Sequence, residues 1–345
     1  MFIYFFILSF ISLWIIIERE SIKRNALVLP TLLLVLFATI RSINVGTDTP
    51  VYVNNFISSS PENYIFNPDL DYGYQFFEYF LLHITNDYWF LFAVTSFVIV
   101  TLSLYTIKKY SINYLISVWV YLTFGFYTFF FNALRQGLAI SICFFSLSFL
   151  FERKYFNYFI FVLFASLFHV SALIMLIFLF TPILERFKVG LNLCILLIVS
   201  FIFTFFYLNI IFERNQRYLG YSEISDEKGG YYYFAFNIIM AFFLYLSLID
   251  KNLDYKHKLM LKLYLYGVVL VLPVLFLNTD PSGPQRLLFY FNPVLIFLIP
   301  LFFKFYNNIV YYLLFIIISF TLFFVNIMKF GGIYPYEINP NFILF

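Results

Sequence analysis

Charged residues are scarce in this chain. Asp, Glu, Lys and Arg together make up 11% of its 345 residues, and hydrophobic residues make up 63%. A soluble domain has about 25% charged residues, enough to cover its surface. The mean hydropathy of +0.90 points the same way. This scarcity excludes a water-soluble globular protein and indicates a chain whose solvent is lipid.

Cysteine and the common motifs of metal and nucleotide chemistry are also nearly absent. The two cysteines, Cys143 and Cys194, lie in different apolar runs, where a free cysteine is a small packing residue. The sequence contains no His/Cys metal spacing, no phosphate-binding glycine loop and no serine-nucleophile elbow. Asp69 and Asp71 form a D-x-D pair that could hold Mg²⁺ with a diphosphate, but this tripeptide is common by chance. We expect both aspartates to be structural, with no metal, cofactor or nucleic-acid partner.

Long apolar runs recur along the whole chain and predict its architecture. Backbone groups in lipid must be satisfied internally, and continuous rather than alternating apolar runs favour helices over a barrel. We predict an all-α polytopic membrane protein with a single integral membrane domain over residues 1–345 and outer loops at about 41–87 and 213–230. About twelve spans are expected, at residues 2–17, 26–40, 88–107, 112–130, 134–151, 156–168, 170–184, 190–212, 231–249, 259–277, 287–303 and 309–327.

Lysine and arginine divide unequally between the two sides of the membrane. Basic residues collect in cytoplasmic loops. With the N-terminus outside, those loops contain 14 of the 21 cations, namely Arg19, Lys23, Arg24, Lys108, Lys109, Arg153, Lys154, Arg186, Lys188, Lys251, Lys256, Lys258, Lys262 and Lys304. Most of the remaining cations are arginines, whose planar fork binds phosphate or carboxylate with two parallel hydrogen bonds. The outer arginines therefore indicate either an anion site or structural salt bridges to outer acids.

The window Tyr155–Leu184 predicts a short hairpin. It has basic clusters at both ends and almost no charge between them. If both ends are cytoplasmic, each arm has about 14 residues and spans about 21 Å of helix, less than the roughly 30 Å hydrocarbon core. The turn, at His169, should therefore lie recessed in the outer half of the bilayer.

The first outer loop contains an amphipathic segment, GYQFFEYFLLHI at residues 73–84. Phe76, Phe77, Phe80, Leu81 and Ile84 fall on one helical face, and Gln75 and Glu78 fall on another. This pattern predicts a helix lying on the outer membrane surface.

Polar residues near the outer ends of the spans form a candidate site. Asn132, Arg135 and Gln136 share one helix face, which continues with the small residues Ala139, Cys143 and Ser146. Small residues either let a neighbouring helix pack closely or leave room for an acyl chain. The other polar residues predicted at this depth are Arg41, Asp48, His169, Asp280 and Arg286. A recessed, arginine-rich pocket of this kind suits an anionic lipid headgroup presented from the outer leaflet.

Five motifs together resemble the EpsG family of Wzy-type polysaccharide polymerases. They are IRSINVGTDTPVY, DYGYQFF, FNALRQGLAIS, LFHVSALIML and GPQRLLFYF, spread over about residues 1–330. The most specific part is N-x-x-R-Q followed some thirty residues later by F-H-x-S/T-A.

The resemblance implies polymerisation of capsule, exopolysaccharide or O-antigen repeat units on undecaprenyl diphosphate. It implies an enzyme similar to metal-independent GT-C glycosyltransferases, in the cell (inner) membrane, with its active site facing the periplasm or cell exterior. The implied partners are the lipid-linked glycan donor and acceptor, membrane lipid, and a chain-length regulator protein as a candidate.

By matching motif, the implied diphosphate ligands are Arg41, Asn132, Arg135, Gln136 and Arg286. The implied catalytic residues are Asp48, His169 and Arg135, with Arg135 stabilising the leaving group rather than being paired permanently with an aspartate. Asp48 and His169 are both candidates for the base that activates the acceptor hydroxyl, and Asp48 is preferred because nearby arginines would keep it ionised.

Two other functions fit the same polar residues. A flippase for lipid-linked oligosaccharide would also bind diphosphate with arginines, but it should show two related halves and a midplane cavity, and the sequence shows no such halves. A transferase that joins finished glycan to another carrier would differ from a polymerase only in its acceptor.

Overall fold

The computed structural model describes residues 1–214, 229–277 and 283–342. The regular structure there is helical, with one isolated β-bridge between Arg41 and Ile338. The α-helices are α1 (Phe2–Ile22), α2 (Val28–Thr39), α3 (Thr49–Ile57), α4 (Tyr72–Leu82), α5 (Tyr88–Tyr110), α6 (Tyr114–Thr123), α7 (Leu134–Phe151), α8 (Tyr155–Ser166), α9 (Thr181–Leu184), α10 (Val189–Arg214), α11 (Gly229–Leu248), α12 (Tyr255–Val271), α13 (Leu295–Phe305) and α14 (Ile309–Lys329). Stretches of 3₁₀ helix lie at Pro61–Asn63, Thr128–Phe131, Val170–Phe180, Leu272–Leu277, Pro284–Tyr290, Asn292–Val294 and Pro340–Phe342.

The all-helical, polytopic prediction is confirmed, although not every predicted span is long. Within the described ranges, eight helical segments are long and apolar enough to cross a membrane. Four shorter apolar helices lie at Val28–Thr39, Tyr155–Ser166, Val170–Leu184 and Val189–Ile202. These twelve segments fall on the twelve predicted spans. Eight of the twelve therefore have the length and composition of a full crossing over the described side chains, and Val189–Ile202 is the first part of the longer helix α10.

Several helices begin at a side chain that satisfies their first free amide groups. Asn113 accepts a hydrogen bond from the amide of Ile116 at the start of α6, and Asp254 accepts one from the amide of His257 at the start of α12. Asn308 caps α14 in the same way. Short polar residues are favoured at these positions because they replace the missing intrahelical acceptor.

The centre of the bundle is formed by α7 and the segment Pro284–Phe305, and α5 and α8 pack against α7. Ala139, Cys143 and Ser146 on α7 are fully buried, so this small-residue stripe serves close packing rather than an open lipid groove. A neighbouring face of α7 borders an apolar cavity of about 30 Å³. That volume holds about one water molecule, which is far too little for a lipid chain.

The hairpin predicted over residues 155–184 is present. The hydroxyl of Tyr158 on α8 donates to the carbonyl of Met175, 2.7 Å away, which is possible only if the chain reverses between them. The reversal occupies Leu167–His169, between α8 and the 3₁₀ helix Val170–Phe180. Whether this turn is recessed from the outer surface stays a prediction.

The surface helix of the first outer loop is α4, and its polar side faces inward. Phe76, Phe80 and Ile84 are exposed, whereas Gln75 and Glu78 are buried. Leu81, which we placed on the exposed apolar face, is buried in a small cluster instead. A helix beside lipid turns its apolar side outward, because the surrounding solvent is itself apolar.

The chain after α14 folds back onto the first outer loop. The amide of Gly46 donates to the carbonyl of Gly332, and the amide of Thr47 donates to the carbonyl of Gly331. Both donor–acceptor distances are 3.0 Å. Further along, the amide of Asn339 donates to the carbonyl of Ile40 over 2.8 Å. These contacts place the ends of α2 and α14 on the same side of the bundle.

Asp280 and most of the predicted 213–230 loop lie outside the described residues.

Candidate functional site

The candidate site has Asp71 at its centre. One oxygen of its carboxylate, Oδ2, lies 3.0 Å from Nη1 of Arg135 and 3.5 Å from Nδ1 of His169. The other oxygen, Oδ1, accepts a hydrogen bond of 3.2 Å from the amide of Val170. Three separate parts of the chain thus meet at one carboxylate: the first outer loop, the start of α7 and the hairpin turn.

A close backbone contact fixes the position of Asp71. The amide of Gly73 donates to the carbonyl of Leu167 in the hairpin turn over 2.8 Å. A Cβ atom on Gly73 would lie 2.6 Å from Cβ of Leu167 and 2.7 Å from its carbonyl oxygen. Only glycine therefore allows this approach without displacement. The contact explains why the motif DYGY carries a glycine two residues after the aspartate.

The surroundings of Asp71 keep its carboxylate ionised. Burial alone would raise the pKa of Asp71, but His169, Arg135 and the amide of Val170 together lower it below its ordinary value of 3.8. The guanidinium of Arg135 also faces the hydroxyl of Tyr52 on α3. Burial raises the pKa of Tyr52, so this hydroxyl remains a neutral hydrogen-bonding group beside the cation.

A second arginine–carboxylate pair lies beside the first. Nη2 of Arg286 is 3.7 Å from Oδ2 of Asp48. Asp48 precedes α3, but its side chain makes no capping hydrogen bond, and 41% of that side chain is exposed. Gln136, which follows Arg135 in the chain, contacts the carbonyl of Arg286, so the two pairs are neighbours.

Gln136 and Asn132 serve the framework of this site. Nε2 of Gln136 donates a hydrogen bond of 3.3 Å to the carbonyl of Arg286, and the Gln136 side chain is buried. Oδ1 of Asn132 accepts from the Thr47 hydroxyl over 3.1 Å, and its Nδ2 donates to the carbonyl of Gly331 over 2.8 Å. Their binding of diphosphate stays a prediction; in the structure these side chains contact the carbonyl of Arg286, the loop before α3 and the segment after α14.

Arg41 is not brought to the open part of the site. Its side chain is completely buried, with the guanidinium carbon 4.0 Å from the ring centre of Phe92 and 4.3 Å from that of Phe131. None of its side-chain nitrogens has a hydrogen-bond partner among the described residues. Burial lowers the pKa of Arg41 to about 10. This enclosure runs against its predicted contact with a diphosphate and indicates a structural cation held by cation–π contacts.

Fewer of the predicted site side chains are exposed than the sequence indicated. Arg135, Arg286, Asp48 and His169 are partly exposed and lie on one side of the bundle. Two guanidinium groups can bind a dianion through forked hydrogen bonds. An imidazole beside them can accept a proton.

Two residues of the site were not identified from the sequence. Asp71 was judged structural because a D-x-D tripeptide alone is weak evidence, and Tyr52 was counted only among the aromatics of the loop. The one available signal was the position of Asp71 at the head of the DYGYQFF motif. No periodicity in the sequence connects Asp71 to Arg135 or His169.

Comparison with known proteins addresses the resemblance directly. The searches of curated proteins and of solved structures yielded no match. A family model of the EpsG family matches residues 24–338, which include every residue of the candidate site. The chain therefore belongs to the EpsG family, a family of Wzy-type polysaccharide polymerases.

Proposed function

We propose that this membrane polysaccharide polymerase joins oligosaccharide repeat units carried on undecaprenyl diphosphate, at the outer face of the cytoplasmic membrane. The family match supports the polymerase activity. The basic-residue distribution supports the orientation, because the loops richest in lysine belong to the side opposite the site. The growing chain and the next repeat unit are then both presented from the outer leaflet.

The observation that carries this proposal is the pairing of two partly exposed arginines with carboxylates. Arg135 is paired with Asp71 and Arg286 with Asp48. A lipid diphosphate can bind the donors of each guanidinium that the carboxylate leaves free, because phosphate oxygens also accept parallel hydrogen bonds from the planar fork. Each arginine thus has a counter-ion before the substrate binds.

The transfer reaction assigns a role to each group. The acceptor hydroxyl oxygen forms a new bond to the anomeric carbon of the donor glycan, and the bond from that carbon to the diphosphate oxygen breaks. The electron pair leaves with the diphosphate, where Arg135 and Arg286 stabilise the developing charge. A well-placed donor typically contributes about 3 kcal/mol to such stabilisation. The chemistry is of the GT-C type, with the arginines supplying the positive charge.

We assign the acceptor proton to His169 rather than to Asp48. A general base of this kind typically contributes about 10²–10⁴ in rate. One oxygen of the Asp48 carboxylate, Oδ2, already faces Arg286, 3.7 Å away. His169 turns Nδ1 towards Asp71 and therefore points Nε2 away from it, which leaves that nitrogen for the acceptor hydroxyl. This reverses the preference for Asp48 that the sequence favoured.

The test is polymerisation by purified protein in the presence of EDTA. A defined undecaprenyl diphosphate-linked repeat unit is the only glycan supplied, and products are separated on a gel. We expect a ladder from the wild-type chain and from Arg19→Lys, a control on the opposite side whose arginine pairs with Glu20. A flippase would form no ladder. A dependence on added Mn²⁺ would contradict the metal-free site.

A further inference from the structure

We propose that Asp71 is the positioning residue of the transfer reaction, holding the His169 ring and the Arg135 guanidinium in register. This inference rests on the proposed function. It concerns an aspartate contributed by the first outer loop, which the sequence gives no reason to place beside the histidine.

The contacts of Asp71 divide between its two oxygens. Oδ1 accepts from the amide of Val170, the residue directly after His169, over 3.2 Å. Oδ2 faces both Nη1 of Arg135 and Nδ1 of His169, at 3.0 and 3.5 Å. A single carboxylate therefore fixes the backbone of the hairpin turn, the ring that the turn carries, and the cation on α7. Asp71 therefore contacts both His169 and Arg135, the two residues to which the proposed reaction assigns a role.

The orientation of His169 depends on this carboxylate. Nδ1 of His169 is buried and has no hydrogen-bond partner among the described residues, and the carboxylate oxygen of Asp71 lies 3.5 Å from it. The separation of 3.5 Å is long for a hydrogen bond, and such contacts commonly tighten when substrate binds. An acceptor at Nδ1 keeps the proton on that nitrogen and leaves Nε2 free to accept one.

The loop that carries Asp71 is held in place by an uncharged contact between Gly73 and Leu167. Gly73 approaches Leu167 so closely that an added Cβ would displace one of the two segments. Gly73→Ala therefore moves the carboxylate relative to His169 while every ionisable group of the site remains. It gives a second way to disturb the arrangement, independent of charge removal.

The experiment is a double-mutant cycle on the polymerisation rate. The variants are Asp71→Asn, His169→Ala and the two combined, and the control is Asp69→Asn, an exposed aspartate two residues away. We expect Asp71→Asn to lower kcat by roughly 10²–10⁴-fold, as loss of an orienting aspartate does elsewhere, with a much smaller change in KM. Adding Asp71→Asn to His169→Ala should lower the remaining rate only a few-fold, because residues that act as a unit are not additive.

Each other outcome contradicts the proposal. A folded Asp71→Asn protein with wild-type kcat would show that the carboxylate is dispensable, and an undiminished loss in the His169→Ala background would show that it does not act through the histidine. If Asp71→Asn fails to accumulate, Gly73→Ala replaces it, and wild-type kcat in that folded variant overturns the proposal. An inactive wild-type chain would instead remove the proposed function itself.

Discussion

Arg135 and Asp71 form an ion pair between residues 64 positions apart in the chain, with Nη1 and Oδ2 separated by 3.0 Å. The pair joins the first outer loop to the start of the most central helix. It supplies a counter-ion for a cation at the mouth of an apolar span, where an unpaired charge would be costly. The arginine is therefore stable without substrate and still partly exposed to one.

Arg135→Lys separates the charge of this residue from its geometry. Lysine keeps the positive charge that faces Asp71 but cannot form two parallel hydrogen bonds to a phosphate. We expect the variant to melt within a few degrees of the wild-type chain and to lose most of its polymerisation activity. Thermal stability is measured by size-exclusion chromatography after heating, and activity is measured by the gel assay. Full activity of Arg135→Lys would make Arg135 a structural cation only.

Arg41 offers the opposite comparison, because its guanidinium is enclosed by aromatic rings. Arg41→Met replaces it with an apolar side chain of similar length, and such replacements of buried charges are often neutral or stabilising. We expect Arg41→Met to melt near the wild-type temperature and to polymerise normally. Arg41→Ala should melt several degrees lower, since it loses cation–π contacts of about 0.5–2 kcal/mol each and leaves a cavity. A stable but inactive Arg41→Met protein would restore Arg41 as a substrate ligand.

Glu78 gives a prediction about pH. Burial raises the pKa of this carboxyl above its ordinary value of 4.5, against the opposing effects of Tyr74, Tyr64 and Arg135. A raised folded-state pKa means that ionised Glu78 costs stability at pH 7. Stability is then regained as the pH falls through the folded pKa towards 4.5.

Glu78→Gln should therefore melt at or above the wild-type temperature at pH 7, because glutamine resembles the protonated acid. The variant should also show a smaller rise in melting temperature between pH 7 and pH 5. Asp71 contributes little to this comparison, because its pKa in the folded protein lies below its ordinary value of 3.8. A marked loss of stability in Glu78→Gln at pH 7 would show that the ionised form is the favoured one.

The turn at His169 can be located by cysteine labelling. A single cysteine is placed at Leu167 or Val170, both exposed, after replacement of Cys143 and Cys194. Because the two arms are short, we expect weak labelling by a bulky impermeant maleimide added from outside and none from the cytoplasm. Labelling from the cytoplasm would mean that the hairpin does not place its turn on the outer side.

The parts of the fold that follow from the solvent were predictable, and those that depend on single long-range contacts were not. Lipid requires long apolar helices, so α7 could be delimited at residues 134–151 from its run of side chains alone. The apolar face of α4 was recognised for the same reason. Helix length was overestimated by a few residues at Val28–Thr39, where a span over 26–40 was predicted.

The candidate site was only partly predictable, because it is formed by contacts between residues that are far apart in the sequence. The predicted outer-side location singled out Arg135 and Arg286, but it singled out Arg41 equally. Nothing in the sequence distinguishes a guanidinium beneath Phe92 from one open to substrate. The position of Asp71 depends on the contact between Gly73 and Leu167, which joins segments more than ninety residues apart. Contacts of this kind leave no periodic pattern for a reader of the sequence to find.

The central claim is that a lipid diphosphate leaves as each glycosidic bond forms, and its most direct test is the stoichiometry of that release. Purified protein is incubated with the undecaprenyl diphosphate-linked repeat unit, and free undecaprenyl diphosphate and new glycosidic linkages are quantified over time. We predict one molecule of lipid diphosphate released for each linkage, and almost none in Arg135→Lys. New polymer without release of lipid diphosphate, or substrate movement without any new linkage, would contradict the account.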